Sequence, residues 1–219
     1  MPAWLPRVLP FALYIGLLAL APIGRDALAA LGIDPRYWYW LTAGLTAVAL
    51  AWALPRCPEA RERASAAQLA AAALVGLVVL ALWLVLRADW MLIGTPEPSF
   101  VPTEGDAILW HHAIVRVLGM ATVVPLMEEL FWRSFVQRRL DAPDFVALDP
   151  ARVSWFALAA TSVAFALEHR EWLAGVLAGL AYGGLYRHQR VLAGAIVAHA
   201  VTNLGLGAWI VATRGWTLW

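Results

Sequence analysis

The sequence predicts an all-α fold, a polytopic transmembrane bundle of about seven to eight helices, and three observations carry that prediction. Of 219 residues, 62% are hydrophobic and 14% charged, whereas a soluble domain carries about a quarter charged residues. Mean hydropathy is +0.69. The apolar residues gather into about seven runs, each near the ~20 residues that cross a bilayer as a helix.

The runs are 8–24, 37–54, 67–87, 107–140, 152–169, 172–187 and 191–212. The first resembles a signal peptide, because Arg7 precedes an apolar stretch ending Ala19-Leu20-Ala21. Pro22 would follow that cleavage point directly and more apolar runs come after it, so it reads as a membrane helix. The second opens on Tyr37-Trp38-Tyr39-Trp40, rings that prefer the membrane interface. The third begins in an Ala-rich stretch, 66–73, and the last two carry Gly175, Gly179, Gly183, Gly184, Gly194, Gly205 and Gly207, small residues suited to close helix packing. The chain divides into 1–106, about three membrane helices and an external loop, and 107–219, a helical core that holds the chemistry; the two fold as one membrane domain.

Arginine placement orients the bundle, because short cytoplasmic loops collect positive charge. With the N-terminus inside, Arg7, Arg56, Arg61, Arg63, Arg138, Arg139, Arg152, Arg187 and Arg190 fall on the cytoplasmic side. Arg25, Arg36, Arg87, Arg170 and Arg214 fall opposite, as does the acidic 88–106 loop. The protein is expected in a bacterial inner membrane, with the lipid bilayer as its surroundings. The formal charge of +1 rests on 16 basic residues, all arginine, against 15 acidic ones; no basic tract is present for nucleic acid. The single cysteine, Cys57, lies in a Pro/Arg-rich stretch without the neighbours of a catalytic thiol.

A charge within a membrane helix costs at least ~2.5–3.5 kcal/mol on insertion scales, so each one calls for a purpose. The fourth run contains Val124-Pro125-Leu126-Met127-Glu128-Glu129-Leu130-Phe131-Trp132-Arg133. Glu129 and Arg133 stand at i,i+4 and can pair on one face, while Glu128 points about 100° away. An unpartnered carboxylate shielded from bulk water is what a general base requires; a structural ion-pair network is the competing reading. Pro125 removes one helix hydrogen bond and should kink the run. In the fifth run Phe165 and His169 share a face at i,i+4, so the ring can wall the imidazole, although Glu168-His169-Arg170-Glu171 also reads as an interfacial loop. In the seventh, His199 and Asn203 share a face and can donate to one point, as a developing oxyanion requires; an interhelical polar clamp is the alternative. A rise of 1.5 Å per residue puts Glu128, His169 and His199 at depths of about 18, 25 and 14 Å, so meeting at one site requires tilt or a kink.

Glu128-Glu129-x-x-x-Arg133, then Phe165-x-x-x-His169, then His199-x-x-x-Asn203, in that order on separate helices, resembles the CAAX protease and bacteriocin-processing (Abi) family. The likeness spans about residues 107–212. The chain length and the opening Arg7-Val8-Leu9-Pro10-Phe11 resemble the bacterial subset associated with exosortase sorting systems. The resemblance implies an intramembrane CAAX-type endopeptidase that cleaves near the C-terminus of a membrane-associated protein or peptide, with no metal or other cofactor. It implies that Glu128 activates water, that His169 orients the water or moves a proton, and that His199 and Asn203 form the oxyanion site. Glu129, Arg133 and Phe165 are then supporting residues. The family's best-known substrates end in a prenylated Cys tetrapeptide, a feature that would not carry over to a bacterial protein. Three other readings stand beside this one: a zinc-dependent protease with Glu128, His169 and His199 as ligands, a non-catalytic scaffold or immunity protein of the same fold, and an ion carrier using the same buried groups.

Overall fold

A computed structural model describes residues 1–94 and 97–219. Thr95 and Pro96, part of the expected 88–106 external loop, lie outside the described residues. The fold is an all-α bundle. In chain order its helices are α1 (Leu5–Ala19), α2 (Ala21–Ala30), α3 (Tyr37–Ala53), α4 (Ala66–Val85), α5 (Trp110–Leu118), α6 (Val124–Glu128), α7 (Gln137–Arg139), α8 (Trp155–Ala166), α9 (Trp172–Gln189) and α10 (Leu192–Thr213). Helices α5, α6 and α7 are pieces of one rod over 110–139, joined by π-helical turns at Gly119–Val123 and Glu129–Val136.

The seven expected runs map onto these helices with three corrections. The first run is two helices bent by 59°. Pro22 enters the first turn of α2, where its missing N–H breaks the ladder that would have continued α1. The fourth run begins later than expected, at Trp110, because Thr103–Glu104 and Ala107–Ile108 pair as a small antiparallel hairpin (β1, β2). Gly105 takes the positive φ of its turn, +56°. The fifth run is a helix only over 155–166; Ser154 caps its start by accepting from the Ala157 N–H. By length and composition, α4 and α10 can each cross a membrane, and the bent α1–α2 pair is a third candidate. The remaining apolar helices are short or interrupted, so a crossing built from them has to be completed by packing rather than by one straight rod.

The interior is where α4, α9, α10 and the 110–139 rod meet. Gly76 of α4 faces the Ala198 carbonyl of α10, and Gly179 of α9 faces the Ser162 backbone of α8, where a Cβ would come within 2.7 Å of the Ser162 Cα. Backbones this close exclude side chains from the seam, the packing mode of membrane helices. Outside it, Leu41, Leu45, Val48, Leu74, Leu77 and Val78 are exposed, as lipid-facing positions should be.

A second polar knot ties the N-terminus to the rod. Arg7 grips Glu59 with two parallel hydrogen bonds, Nε to Oε1 at 2.7 Å and Nη2 to Oε2 at 2.8 Å. Ser134 donates to the same Oε1, and the guanidinium lies over Phe145. Burial by itself raises the Glu59 carboxyl, but the bonds from Arg7 and Ser134 outweigh it and hold the group below the usual carboxylate range. Cys57 beside it is fully buried, and burial pushes its thiol up to about 11, which leaves it unreactive.

Candidate active site

The rod over 110–139 carries both glutamates. A regular α-helix cannot satisfy the ladder around Pro125, and here the rod widens instead of breaking. The Val124 N–H reaches five residues back to the Gly119 carbonyl, and the Gln137 N–H does the same to Trp132. Glu128 and Glu129 therefore sit at the junction between a short α-turn and a π-turn, a local form that recurs at functional sites.

Glu129 is completely buried and holds two partners. Its Oε2 lies 3.1 Å from Arg133 Nε, a charge contact whose N–H is not aimed at the oxygen. Its Oε1 lies 2.9 Å from His199 Nδ1. A carboxylate only accepts, so Nδ1 carries the proton, and Nε2 is the free end of the imidazole. That end faces Glu128, with Oε2 at 4.0 Å. Glu128 Oε2 has no hydrogen-bond partner among the described residues, and the side chain is 10% accessible. The two adjacent glutamates thus differ: one is locked into the scaffold, the other is reserved.

His169 is not on a helix. Three successive i→i−3 bonds, from Leu167, Glu168 and His169 to Ala164, Phe165 and Ala166, close α8 and begin a turn. The i,i+4 face expected for Phe165 and His169 is replaced by this turn, because α8 ends at Ala166. The turn nonetheless folds the imidazole back over Phe165, with ring centroids 4.7 Å apart. His169 Nδ1 donates to the Phe165 carbonyl at 3.0 Å, so its Nε2 is left as a hydrogen-bond acceptor. Trp83 of α4 meets the same ring edge-on at 5.2 Å.

His199 and Asn203 are one turn apart on α10, as the spacing requires. The Tyr182 ring stacks on His199 at 5.0 Å and 18°. The Tyr182 hydroxyl donates to Thr202 at 2.7 Å, and Thr202 donates to the Gly76 carbonyl at 2.8 Å. This chain through α9, α10 and α4 fixes the imidazole plane. Asn203 Nδ2 gives one proton to the Met120 carbonyl at 2.8 Å, inside the first π-turn; its second amide proton remains.

These groups border a cavity of about 370 Å³. His169, His199 and Asn203 line it, with Phe165, Glu168 and Arg116. Glu128 is not in its wall; its Oε2 lies 4.0 Å from Nε2 of His199, a residue of the wall. Glu168 accepts from Trp132 Nε1 at 3.0 Å. The turn that follows the early end of α8 places His169 in the same cavity wall as His199, despite the depth spread expected from the sequence. Among the described residues no three His, Cys, Asp or Glu side chains converge at metal-holding spacing, so Glu128, His169 and His199 do not form a three-donor set here. Sequence reasoning missed Trp83, Tyr182, Thr202, Glu168 and Trp132. Trp132, Glu168 and Thr202 carried a local signal, each beside a singled-out residue; Trp83 and Tyr182 lie within apolar stretches without one.

Residues 110–205 match the family model described as type II CAAX prenyl endopeptidase Rce1-like. That segment contains every residue of the three motifs, from Glu128 to Asn203. No curated protein and no solved structure matches the chain.

Proposed function

We propose that the chain, whose residues 110–205 match the family model described as type II CAAX prenyl endopeptidase Rce1-like, is an intramembrane endopeptidase that hydrolyses a peptide bond near the C-terminus of a membrane-associated substrate. The observation that carries the reading is the division of labour between two adjacent glutamates: Glu129 is held by Arg133 and His199, and Glu128 Oε2 is unpartnered 4.0 Å from His199 Nε2.

In this reading Glu128 takes a proton from water as the water oxygen attacks the scissile carbonyl carbon. His169 accepts a hydrogen bond from the same water through Nε2, which orients it. The carbonyl oxygen becomes an oxyanion held by His199 Nε2–H and by the second amide proton of Asn203. Donation from Nε2 while Nδ1 is engaged with Glu129 at 2.9 Å requires a proton on both ring nitrogens in this step. When the tetrahedral carbon collapses, the C–N bond breaks and the proton on Glu128 passes to the leaving amine. No step draws on a metal or another cofactor.

The test is cleavage of a quenched peptide library, with free and lipidated C-termini, by protein reconstituted in liposomes. Wild type should cleave with and without a chelator, and Glu128→Gln should express, insert and not cleave. Cleavage by Glu128→Gln equal to wild type would refute the assignment; loss of wild-type cleavage on chelation, restored by zinc, would support the metalloprotease instead.

A further inference from the structure

Trp132 stands about one turn along the rod from Glu128, and its indole reaches across to the turn that carries His169. Its Nε1–H donates to Glu168 Oε2 at 3.0 Å. Among the described residues no other hydrogen bond joins the rod over 110–139 to the segment 155–171. Ring contacts run beside it: Trp132 meets Phe165 edge-on at 6.3 Å, and the Arg133 guanidinium lies 4.5 Å over the same ring. The far end of the turn is tied elsewhere, by the Ile93 N–H donating to the Arg170 carbonyl at 2.8 Å and Trp172 Nε1 donating to the Trp90 carbonyl at 3.1 Å.

The two partners differ in surroundings. Trp132 is 8% exposed, and a buried indole N–H calls for an acceptor. Glu168 is exposed and lines the cavity, and among the described residues it has no Arg or His within ion-pair distance. Its carboxylate therefore serves the site as a hydrogen-bond acceptor, not as half of a salt bridge. His169 is the next residue. Its ring is held by its own segment and by α4, through the Phe165 carbonyl and the Phe165 and Trp83 rings. None of these relates it by a hydrogen bond to the rod that carries Glu128.

We infer that Trp132 and Glu168 are a positioning pair: their hydrogen bond fixes the His169 turn against the Glu128-bearing rod, so that Glu128 and His169 address the same water. The inference rests on the endopeptidase reading for the water, not for the tie itself. The pair acts through His169, and what it requires of residue 168 is an acceptor of the right length, which a glutamine supplies as well as a glutamate.

The experiment uses full-length protein in phosphatidylcholine nanodiscs, read by NMR and by cleavage of the quenched peptide library. Trp132→Phe keeps a ring in place and removes the donor, and it also identifies the Trp132 indole signal among the 13 tryptophans. Glu168→Ala removes the acceptor, and because Glu168 is exposed its loss leaves no hole in the core. Glu168→Gln keeps the acceptor and removes the charge. In Glu168→Ala the Trp132 indole proton should move upfield, and the His169 ring signals, set by ring currents from Phe165 and Trp83, should shift. Both should stay near their wild-type positions in Glu168→Gln. Trp132→Phe and Glu168→Ala should each lower kcat by about ten- to a hundredfold, with KM changed by no more than about twofold. Glu168→Gln should restore most of that loss, and the double variant Trp132→Phe/Glu168→Ala should be no worse than either single one, as two ends of one bond require.

Unchanged His169 signals and kcat in Glu168→Ala would overturn the pair. An equal loss in Glu168→Gln would move the effect to the carboxylate's charge and overturn it too, as would a loss confined to KM. If Trp132→Phe does not fold, the two Glu168 variants decide alone. Signals that respond as stated in a wild-type protein that cleaves no peptide would keep the tie and refute the endopeptidase reading. Cleavage by wild type with signals that do not respond would do the reverse.

Discussion

His199 and Glu129, 70 positions apart in the chain, are joined by a buried 2.9 Å hydrogen bond between Nδ1 and Oε1. The bond decides which imidazole nitrogen faces Glu128, and it makes Glu129, expected from the sequence to pair with Arg133, a partner of His199 as well. Glu129→Gln offers an amide in place of the carboxylate, which can still accept from Nδ1 but removes the negative charge that faces both His199 and Arg133. The expected result is a fall in kcat of about 10²-fold or more with little change in KM, by analogy with other carboxylate–histidine pairs. Steady-state kinetics checks it, and an equal fall in affinity would point to lost binding instead.

The oxyanion donors make a second, separable prediction. Asn203→Ala removes one donor and should lower kcat by about 10²–10³-fold. It also frees the Met120 carbonyl in the π-turn, so thermal unfolding must be recorded alongside. Asn203→Asp should be as inactive, because a carboxylate repels the developing charge, and activity retained there would contradict the oxyanion assignment.

Tyr182 should act on His199 without touching substrate chemistry. Tyr182→Phe keeps the ring that stacks on the imidazole and removes the hydroxyl that donates to Thr202. The expected loss is small, about 0.5–1.5 kcal/mol in stability, with kcat reduced only a few-fold. Tyr182→Ala should cost more in both. Circular dichroism melts in detergent, paired with cleavage rates, distinguish positioning from general destabilisation.

The Arg7–Glu59–Ser134 knot predicts a pH-dependent stability. Glu59 is held below its ordinary range, so its contribution is fully present above the unfolded carboxylate value of about 4.3 and is lost as pH falls through the lower folded value. Melts of wild type should decline from about pH 4.5 downward. Glu59→Gln should be less stable near neutrality and flatter over the same acid window. Arg7→Ala leaves a buried carboxylate unpaired and should cost about 3–5 kcal/mol. A wild-type acid decline no steeper than that of Glu59→Gln would refute the assignment.

The Gly76 seam links the N-terminal helices to the site. A side chain at Gly76 meets the Ala198 carbonyl, immediately before His199. Gly76→Val should therefore lower stability by about 1–3 kcal/mol and reduce cleavage by displacing His199, although Gly76 lies outside the matched segment 110–205. A variant that melts earlier but cleaves normally would separate packing from positioning.

Composition and spacing were enough to determine the all-α class, the seven apolar runs, and the three motifs with their order. These are local properties: hydropathy is summed over one run, and an i,i+4 relation such as Glu129 with Arg133 needs only one helix. Tertiary structure decided the rest, because it depended on contacts between runs. Pro22 was visible, but the 59° bend it permits was not; the motif around Pro125 was visible, but not the π-turns that absorb it. His169 was legible as a residue and misread as helical, since the early end of α8 depends on how the 167–171 turn packs against Trp83. Tyr182 and Gly76 carry no signal in sequence, because a ring or a glycine in an apolar helix acquires meaning only from the residue across the seam.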